Sequence, residues 1–198
     1  MDLKIDALGD ACPLPVVKAK QALGTIDTGT VEVKVDNETA VHNLENLAKS
    51  QNCEFESAKE NDKLFTVKIV KTEDSKAETA PAPAALGGNR VVVISSQCMG
   101  TGDDELGAKL MKSFIFSLTQ QDQLPDTVLF YNGGAHLTCE GSPALDDIKA
   151  LEGAGVEILT CGTCLQFYGI EDKVAVGDVT NMYVIAQRQL EAGVVVRP

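Results

Sequence analysis

Positive charge is scarce in this 198-residue chain: 17 lysines and arginines face 29 aspartates and glutamates, a formal net charge of −12. A surface this acidic repels a phosphate backbone, and no basic stripe offsets it. Nucleic acid and anionic membrane surfaces are therefore not expected as partners. No apolar run approaches the length of a bilayer span, and residues 1–10 show no basic flank leading into an apolar stretch. Neither an anchor nor a secretory leader is expected. A regular disulfide framework is also missing, because the six cysteines, at positions 12, 53, 98, 139, 161 and 164, are irregularly spaced. Together these absences predict a cytoplasmic protein whose thiols are mostly free, some of them available for chemistry. What is present is an ordinary globular composition, 44% hydrophobic and 23% charged, sufficient to bury a core.

Residues 71–88 read KTEDSKAETAPAPAALGG, with few large apolar side chains, a PAP tract and a closing glycine pair. That composition predicts a flexible linker between a domain of residues 1–70 and a second of residues 89–198. Both domains are net negative, with 8 basic against 12 acidic residues in the first and 7 against 14 in the second. Bulk charge gives them no mutual attraction.

The first domain reads as βαβαββ. Strand candidates are residues 3–6, the alternating TVEVKVD of 30–36, 53–58 and 64–70. Helical spacing covers residues 15–23 and a segment with Val41, Leu44, Leu47 and Ala48 on one face, capped by Asn37 or Thr39. One sheet under two helices is a two-layer sandwich. The second domain opens on RVVVIS, residues 90–95, a continuous apolar run typical of a strand covered on both faces. Helices at 103–118, 143–153, 163–168 and 181–192 then alternate with strands at 127–131, 156–160, 174–176 and 194–197. Such alternation predicts an α/β domain with a doubly wound parallel sheet.

The strongest local signal is Cys12-Pro13-Leu14-Pro15 at the mouth of the first helix. Pro13 and Pro15 suit a first helical turn, where an amide hydrogen has no intrahelical partner, and they leave Cys12 near the N-cap. A thiolate there meets the positive end of the helix dipole, with Lys18 adding to the effect and Asp10 opposing it. Two readings stay open on these residues alone: a reactive thiol, or a small residue that only starts the helix. The stretch DALGDACPLPVVK, residues 6–18, resembles the signature of TusA/SirA-like proteins, and the likeness continues through TVEVKVDNETAVHNL. The resemblance implies that Cys12 accepts sulfane sulfur as a persulfide and passes it on.

In the second domain, Cys161-Gly162-Thr163-Cys164 follows a buried-type strand. It should sit beyond the carboxyl ends of the strands, where open parallel sheets place their functional crevice. Cys161 is expected at a helix N-terminus, and a parallel sheet would bring Cys98, Cys139 and His136 to the same rim. Four readings fit: a zinc site, a dithiol/disulfide couple, small residues packed at strand ends, and a chalcogen-transfer thiol at Cys161 that Cys164 can resolve. The sequence holds no second Cys-x-x-Cys, which counts against zinc. GVEILTCGTC, residues 155–164, is similar to the transfer-cysteine segment of DsrE/DsrF-like proteins. That likeness implies a transfer role for Cys161 and a homo-oligomer built through this domain, while Cys164 has no counterpart in the common pattern. The order of a TusA-like domain, a tether and a DsrE-like domain resembles the YedF family of selenium-metabolism proteins.

Other signals read as structural. Asp103, Asp104 and Glu105 occupy the helix start after SSQCMGTGDD and would repel a phosphate, so helix capping is expected there rather than a nucleotide cradle. Asn132-Gly133-Gly134 reads as a tight turn, with glycine also permitting close approach of a substrate or partner loop. His42 is expected to be solvated, and Cys53 to be a packed small hydrophobe. The resulting expectation is a sulfur or selenium carrier using Cys12, Cys161 and Cys164, supported by Pro13, Pro15, Lys18, Cys98 and His136. It needs no metal or cofactor, and its partners are donor and acceptor proteins. A non-catalytic module whose thiols sense selenium or redox state is the alternative.

Overall fold

A computed structural model describes residues 2–11, 13–75 and 89–198, except for the side chains of Ser50 and Asp74. The chain divides into two compact units, one on each side of residue 84.

In the first unit the elements run β1 (Asp2–Asp6), α1 (Leu14–Thr25), β2 (Gly29–Val35), α2 (Glu38–Ser50), β3 (Glu54–Asn61) and β4 (Leu64–Lys71). This is the βαβαββ order that the sequence predicts. The sheet order is β1-β2-β4-β3, with β1 and β2 parallel and the other pairs antiparallel. Alternation along β2 turns Val31, Val33 and Val35 inward, where they meet Val67 and Ile69 of β4. Ala19 and Leu23 of α1 and Leu44 and Ala48 of α2 close the core over them. Asn37 caps α2, its side-chain oxygen accepting the Ala40 amide at 2.9 Å. On the opposite face, the register sets Lys4 beside Glu32, Glu32 beside Lys68 and Lys68 beside Glu56. Charges alternate across all four strands, the favourable arrangement for a solvated sheet face.

The first unit extends beyond the predicted linker boundary. Lys71 is the last residue of β4, and its Nζ donates to the carbonyls of Leu23 and Ile26 at 2.9 and 2.8 Å. Those carbonyls end α1, so a cation meets the negative end of that helix. Ser75, in a 3-10 turn over Glu73–Ser75, is buried, and its Oγ accepts the Thr72 amide at 2.8 Å. Composition marked these residues as linker because they are polar, but their polar atoms are used within the fold. The remainder of the predicted linker, residues 76–88, lies outside the described residues. Lys71→Met is expected to destabilise this unit by about 1–2 kcal/mol, the usual cost of removing a charged hydrogen-bonding partner. The loss is read as a lower urea midpoint by far-ultraviolet circular dichroism.

The second unit contains β5 (Arg90–Ile94), α3 (Asp104–Thr119), β6 (Thr127–Phe130), α4 (Leu145–Gly153), β7 (Glu157–Cys161), α5 (Gly162–Tyr168), β8 (Asp178–Thr180), α6 (Met182–Leu190) and β9 (Val194–Val196). All pairs are parallel, in the order β8-β7-β6-β5-β9. The chain steps outward from β5 to β8, then crosses back to place β9 on the other side of β5. The crossover connections then put helices on both faces. Met111 and Ile115 of α3 and Ile148 and Leu151 of α4 fill one face, and Ile185 of α6 packs on the other. Both sides being covered, β6 is buried at every residue, as a central parallel strand should be.

Two elements differ from expectation. Residues 174–176 are not a ladder strand: Val174 makes an isolated bridge to Cys139, and the strand that joins β7 is β8, four residues later. The chain turns between them at Gly177, which has a φ of +74° and would place a Cβ 2.6 Å from the Ile158 carbonyl oxygen. Only past that glycine can the backbone run alongside β7. Asn132-Gly133-Gly134, expected as a tight turn, opens a longer, two-turn 3-10 segment, Asn132–Thr138.

Candidate functional site

Asn37, Thr39, Ala40 and Asn43 at the start of α2 line one side of a cleft in the first unit; Asp10, Pro13, Pro15 and Val16 line the other. Its volume is about 30 Å³, room for roughly one water molecule. Cys12 itself lies outside the described residues, but the residues around it are fixed. Pro13 is the N-cap of α1 with no side-chain capping bond, Pro15 lies in the first turn, and that turn carries no acidic residue. The Leu14 amide bonds back to the Ala11 carbonyl at 2.9 Å. Upstream, the Gly9 amide donates to Asp36 at 3.1 Å. Asn37 first, and Gly9 second, hold the Asp36 carboxyl below its usual range by hydrogen bonding. Lys18 Nζ bonds Asp10 at 2.5 Å and lies 3.4 Å from the Asp6 carbonyl. The two charges expected to act oppositely on this turn are thus one ion pair, and they largely cancel. What remains is the unneutralised start of α1, which favours negative charge beside it.

In the second unit, Cys161 ends β7 and is the N-cap of α5, as the sequence predicts, but it is buried, with 1% of its surface exposed. It packs with Val91, Val93, Leu129, Leu159 and Ile185. Cys164, one turn along, is half-buried, and its sulfur accepts the Asn132 amide at 3.0 Å. Burial pushes the Cys164 thiol up; the Asn132 amide opposes this, and a hydrogen bond with Cys161 adds to it. The two cysteines are thus neighbours across the first turn of α5. The donor that reaches Cys164 comes from the 3-10 segment after β6 rather than from α5 itself.

Asn132 is one of two described non-glycine residues with a left-handed backbone, at φ +50°. Tyr168, four residues after Cys164 on the same helical face, donates its hydroxyl to Asn132 Oδ1 at 3.0 Å. The His136 ring lies against that tyrosine, with centroids 4.5 Å apart. Sequence reasoning named His136 but missed Asn132 and Tyr168. The available signals were an asparagine after a buried strand, a residue type that tolerates left-handed geometry, and the four-residue spacing of Cys164 and Tyr168.

The other thiols do not join this pair. Cys98 Sγ donates to the Asp104 carbonyl at 3.3 Å, at the start of α3. Cys139, expected on the rim, is buried and donates to the carbonyls of Ala135 and Ile170 at 3.4 and 3.8 Å. Burial pushes its thiol up as well. The bridge to Val174 draws the backbone of Cys139 inward, and alternation in sequence gives no sign of this. Among the described residues, no group of three or more His, Cys, Asp or Glu side chains could hold a metal ion. None of the five described cysteines is in a disulfide. Asp103 caps α3 by accepting the Leu106 amide at 2.8 Å, as expected. His42 is exposed, 3.7 Å from Glu45. Cys53 packs beside the first core with its thiol on the Gln51 carbonyl. No helix among the described residues is long and apolar enough to cross a membrane.

The first unit is a βαβαββ sandwich whose sequence reads Cys-Pro-Leu-Pro at residues 12–15. Residues 3–71 match the family described as Sulfurtransferase TusA. A protein of Methanocaldococcus jannaschii named as a candidate sulfur carrier is 35% identical over 69 residues, 34% of this chain and 92% of that protein. The chain belongs to the TusA family through its first unit. Among solved structures, a SirA-like protein from Desulfitobacterium hafniense is 38% identical, covering 35% of this chain and 96% of that one, with a TM-score of 0.34. A protein of unknown function from Methanobacterium thermoautotrophicum is 27% identical over 56% of this chain and 99% of its own, with a TM-score of 0.43.

Proposed function

We propose that the chain relays sulfur or selenium on cysteine thiols. Cys12 takes the atom from a donor protein as a persulfide or selenopersulfide, and the Cys161/Cys164 pair forms a second station that serves an acceptor. Membership of the TusA family over residues 3–71, with Cys-Pro-Leu-Pro at the head of α1, carries this reading. The second unit is DsrE-like in this proposal, the whole chain follows the YedF arrangement, and the relay serves selenium metabolism, its cargo sulfur or selenium. The relay works in the reducing cytoplasm, with the second unit as the oligomerising part. Joining both stations in one chain raises the effective concentration of each at the other, so passage between them is intramolecular. A thiolate attacks the outer chalcogen, and the donor sulfur leaves as thiolate, the logic of thiol–disulfide exchange.

The test is mass mapping of the full chain after incubation with a persulfide donor, and separately with a selenopersulfide donor, followed by trapping with an alkylating agent. The expected result is an added chalcogen on the peptide containing Cys12, lost on addition of an acceptor thiol. A Cys12 peptide that never gains mass under either donor defeats the proposal.

A further inference from the structure

Within the second unit, we propose that Cys164 is the thiol that receives the chalcogen and Cys161 is the buried thiol that displaces it. The inference rests on the carrier reading above, but it reverses the order that sequence resemblance gives the pair.

Transfer from a persulfide needs the attacking sulfur in line with the bond that breaks, so the thiol must be reachable from outside the fold. Cys161 is not reachable: it is 1% exposed and surrounded by side chains of β5, β6, β7 and α6. Cys164 is half-buried, on a helix whose next residues outward, Phe167 and Tyr168, are exposed. Its sulfur also has a fixed hydrogen-bond donor, the Asn132 amide at 3.0 Å. An amide aimed at sulfur favours negative charge there, both on the attacking thiolate and on the same sulfur as it is displaced. The left-handed turn that points this amide is itself held by the Tyr168 hydroxyl on Asn132 Oδ1. Cys161, by contrast, makes no side-chain capping bond at the start of α5.

The chemistry balances in two steps. Cys164 gives its proton to water and attacks the outer sulfur or selenium of a persulfide or selenopersulfide. The bond from Cys164 to that atom forms, the bond to the donor sulfur breaks, and the donor leaves as a thiol after taking a proton. Cys161 then attacks the Cys164 sulfur, its proton passing to the departing atom or to water. A Cys161–Cys164 disulfide forms, and the carried atom departs as hydrosulfide or hydroselenide with the two electrons that the thiols give up. A dithiol reductant returns the pair to its starting state. On this account the second station is where the cargo is reduced and released.

The experiment uses the full chain and glutathione persulfide as the probe, with hydrosulfide measured by a colorimetric trap and thiols mapped by mass. The expected outcome for the unaltered protein is hydrosulfide release together with a disulfide-linked 161/164 peptide. Cys161→Ala should retain the added sulfur on Cys164 and release no hydrosulfide from the pair. Cys164→Ser should cut uptake in the second unit by at least about tenfold, the difference between an accessible and an inert buried thiol. A measurement without substitution guards against misfolded variants: limiting iodoacetamide should label Cys164 at least about tenfold faster than Cys161, with labelling rising as the pH climbs through and above the ordinary thiol range. Sulfur found on Cys161 in the Cys164→Ser protein at the unaltered rate, or faster labelling of Cys161, overturns the assignment. Loading of Cys12 with neither second-unit thiol loading also overturns it while leaving the first station standing. Failure of Cys12 to load marks failure of the carrier reading instead.

Discussion

Cys12→Ser is expected to reduce loading of the first unit to background, a fall of at least about a hundredfold, with the second unit still open to direct reaction with small persulfides. The size of the effect follows from the nucleophile. A thiol near its ordinary pKa already presents a few per cent of thiolate at neutral pH, and the start of α1 favours more. A serine hydroxyl presents almost none, and among the described residues of this turn Lys18 is paired with Asp10, and Asp36 is bound by Asn37 and Gly9. The measurement is transfer of labelled sulfur from a persulfide donor to the full chain, quantified on the two units after proteolysis. Equal label on the first unit with serine at position 12 would falsify the role given to that thiol. A fall on both units would further indicate that Cys12 feeds the second station.

The first unit was legible because its rules are local. The alternation in β2 buries Val31, Val33 and Val35, the spacing in α2 buries Leu44 and Ala48, and Asn37 caps where a cap was expected. The second unit's fold class was equally plain from the continuous apolar run of β5 and the alternation of strands and helices. Its site was not. The amide that reaches Cys164 comes from 32 residues away, and a single left-handed asparagine aims it. Hydrophobic periodicity reports which face of an element is buried, but it cannot report which thiol of a Cys-x-x-Cys pair ends up inside. Cys161 is carried into the core as the last residue of a buried strand, and Cys164 is lifted toward solvent by one turn of helix. The displacement of β8 had the same origin. Val174 and Val176 look like a strand, but the contact that decides the matter is between Gly177 and the backbone of β7.

Gly134→Ala should be the most damaging single-atom change in the second unit. A Cβ at this position would lie 2.2 Å from the Ile94 carbonyl oxygen and 2.8 Å from its carbon. Both are backbone atoms of β5, a buried strand paired on both sides, so no side-chain rotation relieves the clash. The close approach that glycine permits here is thus made by the protein's own strand, rather than by a substrate or partner loop. The 3-10 segment must move, at a cost of about 3 kcal/mol or more, the upper range for overpacking. Gly133→Ala is the matched control, because its Cβ would find its nearest neighbour at 3.7 Å, an ordinary contact. It should cost under about 1 kcal/mol, as substitutions free of a named clash do. All three tyrosines, at 131, 168 and 183, lie in the second unit, and the chain has no tryptophan, so tyrosine fluorescence follows this unit alone during urea unfolding. A large drop in midpoint for Gly134→Ala beside a small one for Gly133→Ala is the expected pattern. Asn132 stands two residues before the clash, so displacement of the segment should also withdraw the amide from Cys164 and slow its labelling by iodoacetamide. If Gly134→Ala keeps the unaltered midpoint, the seating of this segment on β5 is wrong, and the source of the hydrogen bond to Cys164 falls with it.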